Sequence, residues 1–274
     1  MKFGGLRSIF AKEGAFFLQV SGHGEVWYNS YGGIQAIPVI AKQAAQLTVF
    51  QRTPQFTLPA RNGPLDQAEQ EQTKADYADF RERNRKMPGA FGANQLRRMG
   101  NAIDASAEEL QAEFEFLWDR GGTLFLASFR DLMLEPEANQ LAADFVRGKI
   151  AELVDDPDTA ATLTPEGLIG CKRLVIDTGY YETYNLPHVT LVDVSVHGIS
   201  QITPDSVRVG NQETKLDMLI LATGFDAMTG SLTRMNITGR AGLSLAEKWA
   251  AGPINYLGLQ THGFPNLFMV SGPG

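Results

Sequence analysis

Apolar residues recur at helical spacing early in the chain and then give way to a continuous apolar run. Ile34, Ile37, Ile40, Ala41 and Ala44 predict an amphipathic helix over residues 34–46. Leu47 to Phe50 is short, apolar and β-branched or aromatic in part, which predicts a buried strand. Gly32 and Gly33 stand before the helix and predict a turn; Gln51, Arg52 and Thr53 follow the strand, and Pro54 stops it. A glycine turn, a helix, a strand and polar residues at its carboxyl end make the second half of a mononucleotide-binding βαβ unit.

The pattern changes along the chain. Ala15 to Val20 and Val26 to Tyr28 are strand-like. Residues 65–85 hold many helix formers with few large apolar side chains, chiefly Tyr77 and Phe80, and predict a solvated helix broken at Met87-Pro88-Gly89. Ser106 and Glu109 form a capping box ahead of a helix whose apolar face is Leu110, Phe114, Leu117 and Trp118, ended by Gly121-Gly122. A further helix from about Glu137 to Val154 carries Leu141, Phe145, Ile150 and Leu153, and Asp155-Asp156-Pro157-Asp158 closes the helical block. Strand-type sequence then resumes at Cys171–Ile176, Val189–Val194, Ile199–Thr203 with Ser206–Val209 as a hairpin, Leu216–Ala222 and Leu267–Val270. The helical block therefore reads as an insertion into an α/β domain. The expected division is an atypical segment 1–30, a nucleotide-binding domain in two parts (31–64 and 161–230), a helical insertion 65–160 and a return segment 231–274.

The glycine fingerprint of dinucleotide sites, GxGxxG, would fall on Tyr28, Ser30 and Gly33, so only its last glycine is present. At the end of the predicted strand 47–50 there is no acidic residue to bind a ribose 2′-hydroxyl. Arg52 stands there instead, and its planar fork suits a 2′-phosphate, which points to NADPH over NADH. The competing reading is a surface arginine after an ordinary strand. Gly32 and Gly33 are either phosphate-loop glycines or a plain turn, and Gln35 either touches a cofactor or merely opens the helix. The Thr53 hydroxyl can help hold a 2′-phosphate. Thr223 and Gly224 fit a backbone turn at the carboxyl end of a strand, where open α/β sheets bind ligands.

Composition narrows the classes. The chain has 274 residues, 43% hydrophobic and 20% charged, enough for one large domain or two. Its net charge of −7 argues against a nucleic-acid surface. No apolar run is long enough to span a membrane, and the N-terminus lacks the pattern of a secretory signal. A single cysteine, Cys171, fits a reducing cytoplasm and is expected to be a small buried residue. Four histidines without ligand spacing predict no metal site. Phe114, Trp118 and Phe125 are expected in a helical core; Tyr180 and Tyr181 are ambiguous.

Four stretches together resemble the Baeyer–Villiger monooxygenases of the cyclohexanone and phenylacetone type. They are GIQAIPVIAKQAAQLTVFQRTPQF (33–56), GCKRLVIDTGYYETYNLPHVTLVDV (170–194), LILATGFDAMTG (219–230) and EKWAAGPINYLGLQTHGFPNLFMVSGPG (247–274). WDRGGTLFLASFRDLM in the helical block is similar to the family as well. ATGFD is shared with wider flavin monooxygenases, whereas CKRLVIDTGYYETYN is much more specific. Departures are Leu186, where the family often has Arg, and the linker fingerprint FxGxxxHxxxWP. For the latter Phe17, His23 and Trp27 match, but Gln19 and Tyr28 replace the glycine and proline.

The resemblance implies two dinucleotide-binding domains with a helical subdomain inserted in the NADPH domain. This chain would hold the NADPH domain, the insertion and the return towards the flavin domain, which itself would lie outside it. The implied activity uses NADPH and FAD to insert one oxygen atom of O2 beside a ketone carbonyl through a flavin peroxide, giving an ester or lactone. It further implies that Arg173 is the fixed cation beside the flavin and that Lys172 contacts the NADPH phosphate or ribose. The competing reading for both is a surface cation opening a strand. The competing functions are a non-catalytic NADPH-binding fragment and a related flavin monooxygenase that oxygenates nitrogen or sulphur.

Overall fold

The computed structural model describes residues 16–21, 30–87, 90, 100–222 and 229–273. Residues 1–223 and 224–274 form separate compact units. In the first unit β2 (Gln46–Gln51) is an inner strand of a four-stranded sheet ordered β5-β2-β1-β9, with β1 at Phe16–Ser21, β5 at Val189–Asp193 and β9 at Met218–Ala222. Leu47, Val49 and Phe50 are fully buried and Thr48 and Gln51 are buried with them, so β2 is covered on both faces and its apolar residues do not alternate with exposed ones. β2 and β5 run parallel, with Leu47 opposite Val189 and Gln51 opposite Asp193. β1 runs antiparallel to both β2 and β9, whereas a mononucleotide unit runs its first strands parallel. Either direction satisfies the backbone groups of β1 in a ladder.

α1 (Ser30–Ala41) packs Ile34, Ile37 and Ala41 into the core. It starts earlier than its periodicity predicts, so Gly32 and Gly33 lie in the first turn of the helix and not in a turn before it. Burial of Ile34 and Ile37 favours continuing the helix back through residues whose own preference is weak. It also stops earlier, at Ala41, where the N–H groups of Gln43 and Ala44 share the Ile40 carbonyl. A ring nitrogen of His188 lies 2.8 Å from the Ala41 carbonyl, tying the helix end to the start of β5.

The helical block runs through α2 (Gln67–Ala75), α3 (Tyr77–Arg85), α4 (Ala107–Arg120), α5 (Pro136–Leu153) and α6 (Pro157–Leu163). Residues 65–85 thus make two helices, parted at Asp76, with Asn84 alone buried among their residues. The capping box of α4 forms as expected, with Ser106 accepting from the Glu109 N–H and Glu109 accepting from the Ser106 N–H. Phe114, Trp118 and Phe125 are core residues; the Phe114 ring lies 5.2 Å from Phe125 and 5.3 Å from Phe145. α5 buries Ala138, Ala142, Ala143, Val146 and Ile150, while Leu141 is exposed and Phe145 and Leu153 are half-buried. Small side chains let this helix approach closely, so its buried face is rotated from the one its larger apolar residues predict. Asp156 does not close the block. It caps α6 by accepting from the Thr159 N–H, with Pro157 in the first turn.

Two short parallel strands, β3 (Thr57–Pro59) and β4 (Val175–Asp177), pair with Thr57 opposite Val175 and Pro59 opposite Asp177. The strand predicted over 171–176 therefore begins four residues late. Residues Tyr180 and Tyr181 are buried in the core, followed by a single 3-10 turn, Glu182–Asn185. β6 (Ile199–Ile202), β7 (Ser206–Val209) and β8 (Gln212–Lys215) form a separate antiparallel sheet, one strand more than the predicted hairpin. In the second unit, α7 (Gly230–Thr233) and α8 (Leu245–Lys248) accompany a core of Leu245, Trp249, Phe264 and Met269. The strand predicted over 267–270 is not formed there; the segment is held by single contacts such as Met269 N–H to Leu259 C=O at 2.8 Å. Among the described residues no helix is long and apolar enough to cross a membrane.

Candidate functional site

A cavity of about 530 Å³ lies at the carboxyl ends of β2 and β5. Gln51, Arg52 and Thr53 line it from the end of β2, Asp193 and Ser195 from the end of β5, and Lys172 from the segment before β4. Ala161, Thr162 and residues 164–168, at the end of α6 and beyond, supply much of the remaining wall. Its size lies within the roughly 300–1,000 Å³ typical of small-molecule sites.

Arg52 and Lys172 are brought to one cavity by the pairing of β3 with β4. Each cation stands a few residues ahead of its strand, so parallel pairing of Thr57 with Val175 sets the two segments side by side. Side chains reinforce the pairing. Gln55 donates through Nε2 to the Arg173 carbonyl at 3.0 Å. The Tyr181 hydroxyl donates to the Gln55 carbonyl and accepts from the Thr57 N–H, both at 3.3 Å. Thr57 Oγ1 donates to Asp177 Oδ2, and Asp177 Oδ1 accepts from the Tyr180 N–H at 2.9 Å. Burial pushes the Asp177 carboxyl above its usual range, against the opposing pull of these hydrogen bonds. Burial likewise raises the Tyr181 phenol, so it stays a neutral donor.

The opposite wall is held by α5. Arg147 Nε donates to the Pro165 carbonyl at 2.8 Å, and its Nη2 reaches the carbonyls of Glu166 and Gly167 at 2.9 Å each. Asn139 Nδ2 donates to the Leu132 and Ile169 carbonyls, and its Oδ1 accepts from the Ile169 N–H. Gln51 Nε2 donates to the Thr162 carbonyl at 2.9 Å, joining β2 to α6.

Neither Arg52 nor Lys172 has an acidic partner among the described residues, in contrast to Arg147, Lys149, Arg208 and Lys215. Two uncommitted cations and the Thr53 hydroxyl in one concave site fit an anion of phosphate type. The buried Gln51 Oε1 has no hydrogen-bond partner, as expected where a ligand or water completes a site.

Of the residues expected from the sequence, Arg52, Thr53 and Lys172 meet here. Gln35 is exposed on α1 and does not line the cavity, and Gly32 and Gly33 are helical. Arg173 is exposed and does not line the cavity; its carbonyl accepts from Gln55, which does. Lys172 and Arg173 precede β4 instead of opening it. Cys171 is exposed at the cavity, not buried, because the segment before β4 stays at the surface. Thr223 and Gly224 lie outside the described residues. Asp193, Arg147 and Asn139 were not legible as site residues, although Asp193 closing a strand was a usable signal, and Gln51 was legible only as one of the polar residues at the carboxyl end of its strand.

No protein-family model matches the chain. A 2-oxo-Δ3-4,5,5-trimethylcyclopentenylacetyl-CoA monooxygenase of Pseudomonas putida is 41% identical over 243 residues, 88% of this chain and 44% of that protein. A Baeyer–Villiger monooxygenase of Pseudooceanicola batsensis is 40% identical over 244 residues, with the same coverage. A phenazine N-monooxygenase of Lysobacter antibioticus is 41% identical over 246 residues. The crystal structure of OTEMO in complex with FAD and NADP matches with a TM-score of 0.83 and 39% identity, over 92% of this chain and 46% of that one. Oxidized steroid monooxygenase bound to NADP matches with a TM-score of 0.79 and 46% identity over 88% of this chain. The chain thus spans somewhat under half the length of the relatives it matches.

Proposed function

We propose that this chain, a homologue of the Baeyer–Villiger monooxygenases, forms the NADPH-binding part of an NADPH- and FAD-dependent monooxygenase that inserts one oxygen atom of O2 beside a ketone carbonyl. The observation that carries the reading is the convergence of Arg52, Thr53 and Lys172 on one cavity at the carboxyl ends of parallel strands. In this reading Arg52 and Lys172 hold the 2′-phosphate, Arg52 through two N–H groups and Lys172 as a point charge, while Thr53 donates its hydroxyl. NADPH, when bound, supplies a hydride. Arg173, beside the cavity and permanently charged, is the cation that faces developing negative charge at the oxygenation centre. The division into a nucleotide-binding domain in two parts around a helical insertion, 31–64 and 161–230 around 65–160, belongs to the same proposal. So does a cytoplasmic location, which rests on the single cysteine.

Titration calorimetry of the chain with NADP+ and NAD+ tests the cofactor assignment. NADP+ is expected to bind at least about tenfold tighter, and Arg52→Ala to abolish the difference. Equal affinities in the unaltered chain sink the assignment. A second reading, oxygenation of nitrogen, is favoured by the likeness to the phenazine N-monooxygenase. Product analysis with a cyclic ketone and with phenazine, in an oxygenating enzyme built around this segment, separates the two: ester from the ketone supports the first, N-oxide alone the second.

A further inference from the structure

Asp193 and Glu166 are the acidic residues that line the cavity beside Arg52 and Lys172, and Asp193 is the one that sits at the end of a sheet strand. It closes β5 and lies directly opposite Gln51 in the parallel ladder. Register partners on adjacent strands project to the same face of the sheet, so the Asp193 side chain shares the Gln51 face, over which α6 lies. Asp193 is exposed; its Oδ1 accepts from the Ser195 N–H at 2.7 Å, and both residues line the cavity. No ion pair joins Asp193 to Arg52 or Lys172, although all three line one site. Gln51, its register partner, adds a buried acceptor oxygen without a partner. The cavity therefore offers acceptors as well as cations.

We propose that Asp193 reads the base of the bound nucleotide by accepting a hydrogen bond from the exocyclic amine of adenine. The inference rests on the reading of this cavity as an NADPH site. A dianionic 2′-phosphate held by Arg52 and Lys172 repels a neighbouring carboxylate. Were Asp193 bonded to the adjacent 3′-hydroxyl, the two negative groups would stand side by side. Bonded to the base amine, the carboxylate stands across the nucleoside from the phosphate, and a charged acceptor meets an N–H donor. An acidic residue that binds a ribose hydroxyl usually follows β2. Here Arg52 follows β2, and the acidic residue Asp193 ends the neighbouring strand β5.

The test compares NADP+ with its hypoxanthine counterpart, in which a carbonyl oxygen replaces the exocyclic amine, by calorimetric titration of the 274-residue chain. A site built to bond an N–H rejects an analogue lacking it. The unaltered chain is expected to bind NADP+ about tenfold or more tighter than the hypoxanthine form. Asp193→Ala is expected to weaken NADP+ roughly tenfold and bring the two ligands within about twofold. Asp193→Asn keeps the side-chain shape and the Ser195 contact, and its amide can turn a donor to the carbonyl oxygen, so it too removes the preference while preserving the fold. Equal binding of both ligands by the unaltered chain, or an undiminished preference in both variants, overturns the assignment to the base alone. Absence of NADP+ binding overturns the cofactor reading with it.

Discussion

Thr57 and Asp177 are 120 residues apart, and the Thr57 hydroxyl donates to the Asp177 carboxylate across 2.5 Å. Both are buried, and each stands in one of the two paired strands whose leading segments carry Arg52 and Lys172. The bond thus latches the two halves of the cation pair together from behind.

Thr57→Val keeps the shape of the side chain and removes the donor. Asp177, in a buried place, is then left with backbone N–H partners, chiefly that of Tyr180 at 2.9 Å. A loss of about 1–3 kcal/mol in unfolding free energy is expected, measured by urea denaturation. A change within about 0.5 kcal/mol, the range of inert surface substitutions, would show that the latch is not needed.

Asp177 gives a pH signature of definite sign. Burial, the largest influence, raises its folded-state pKa above the ordinary value of 3.8. Between the unfolded and folded values the native state binds more protons than the unfolded one, so this group's contribution to stability falls as pH rises through that window. Asp177→Asn has no such titration. The stability of the native sequence relative to Asp177→Asn is therefore expected to decline from about pH 4 upward until the carboxyl is fully ionised. A series of denaturation midpoints from pH 4 to pH 7 reads it; a relative stability that rises over that range contradicts the burial argument.

Arg147 bonds three successive carbonyls, those of Pro165, Glu166 and Gly167. It shapes the cavity wall without lining it. Arg147→Lys retains the charge but cannot reproduce the fork. The expected outcome is roughly a five- to tenfold loss in NADP+ affinity with helical content preserved by circular dichroism, one or two hydrogen bonds' worth of ordering having been lost. Unchanged affinity would mean that the wall keeps its position through Asn139 alone.

Arg173 is exposed, and its backbone carbonyl alone is engaged by Gln55. Arg173→Ala should therefore change stability by less than about 0.5 kcal/mol. In a complete enzyme containing this segment, loss of a preorganised charge should lower ester formation about 10²–10³-fold while NADPH oxidation survives. Product analysis beside absorbance at the nicotinamide band measures both, and ester formation within about threefold of the parent would reduce Arg173 to a surface cation.

Local pattern alone was enough for several elements. The capping box at Ser106 and Glu109, the buried run 47–50 and the core positions Ile34, Ile37, Phe114 and Trp118 depend on neighbours a few residues away, and periodicity records such neighbours directly. Arg52 and Thr53 were legible for the same reason, since their place follows from the end of one strand. Three things were decided only when distant segments met. Gly32 and Gly33 became helical because the buried face of α1 extends the helix past their weak preference. Lys172 joined Arg52 because β3 and β4 pair, and short strands of three residues carry almost no periodic signal of their own. Asp193 entered the cavity because β5 lies beside β2, and the choice of neighbouring strand is a property of the whole sheet that no local pattern encodes.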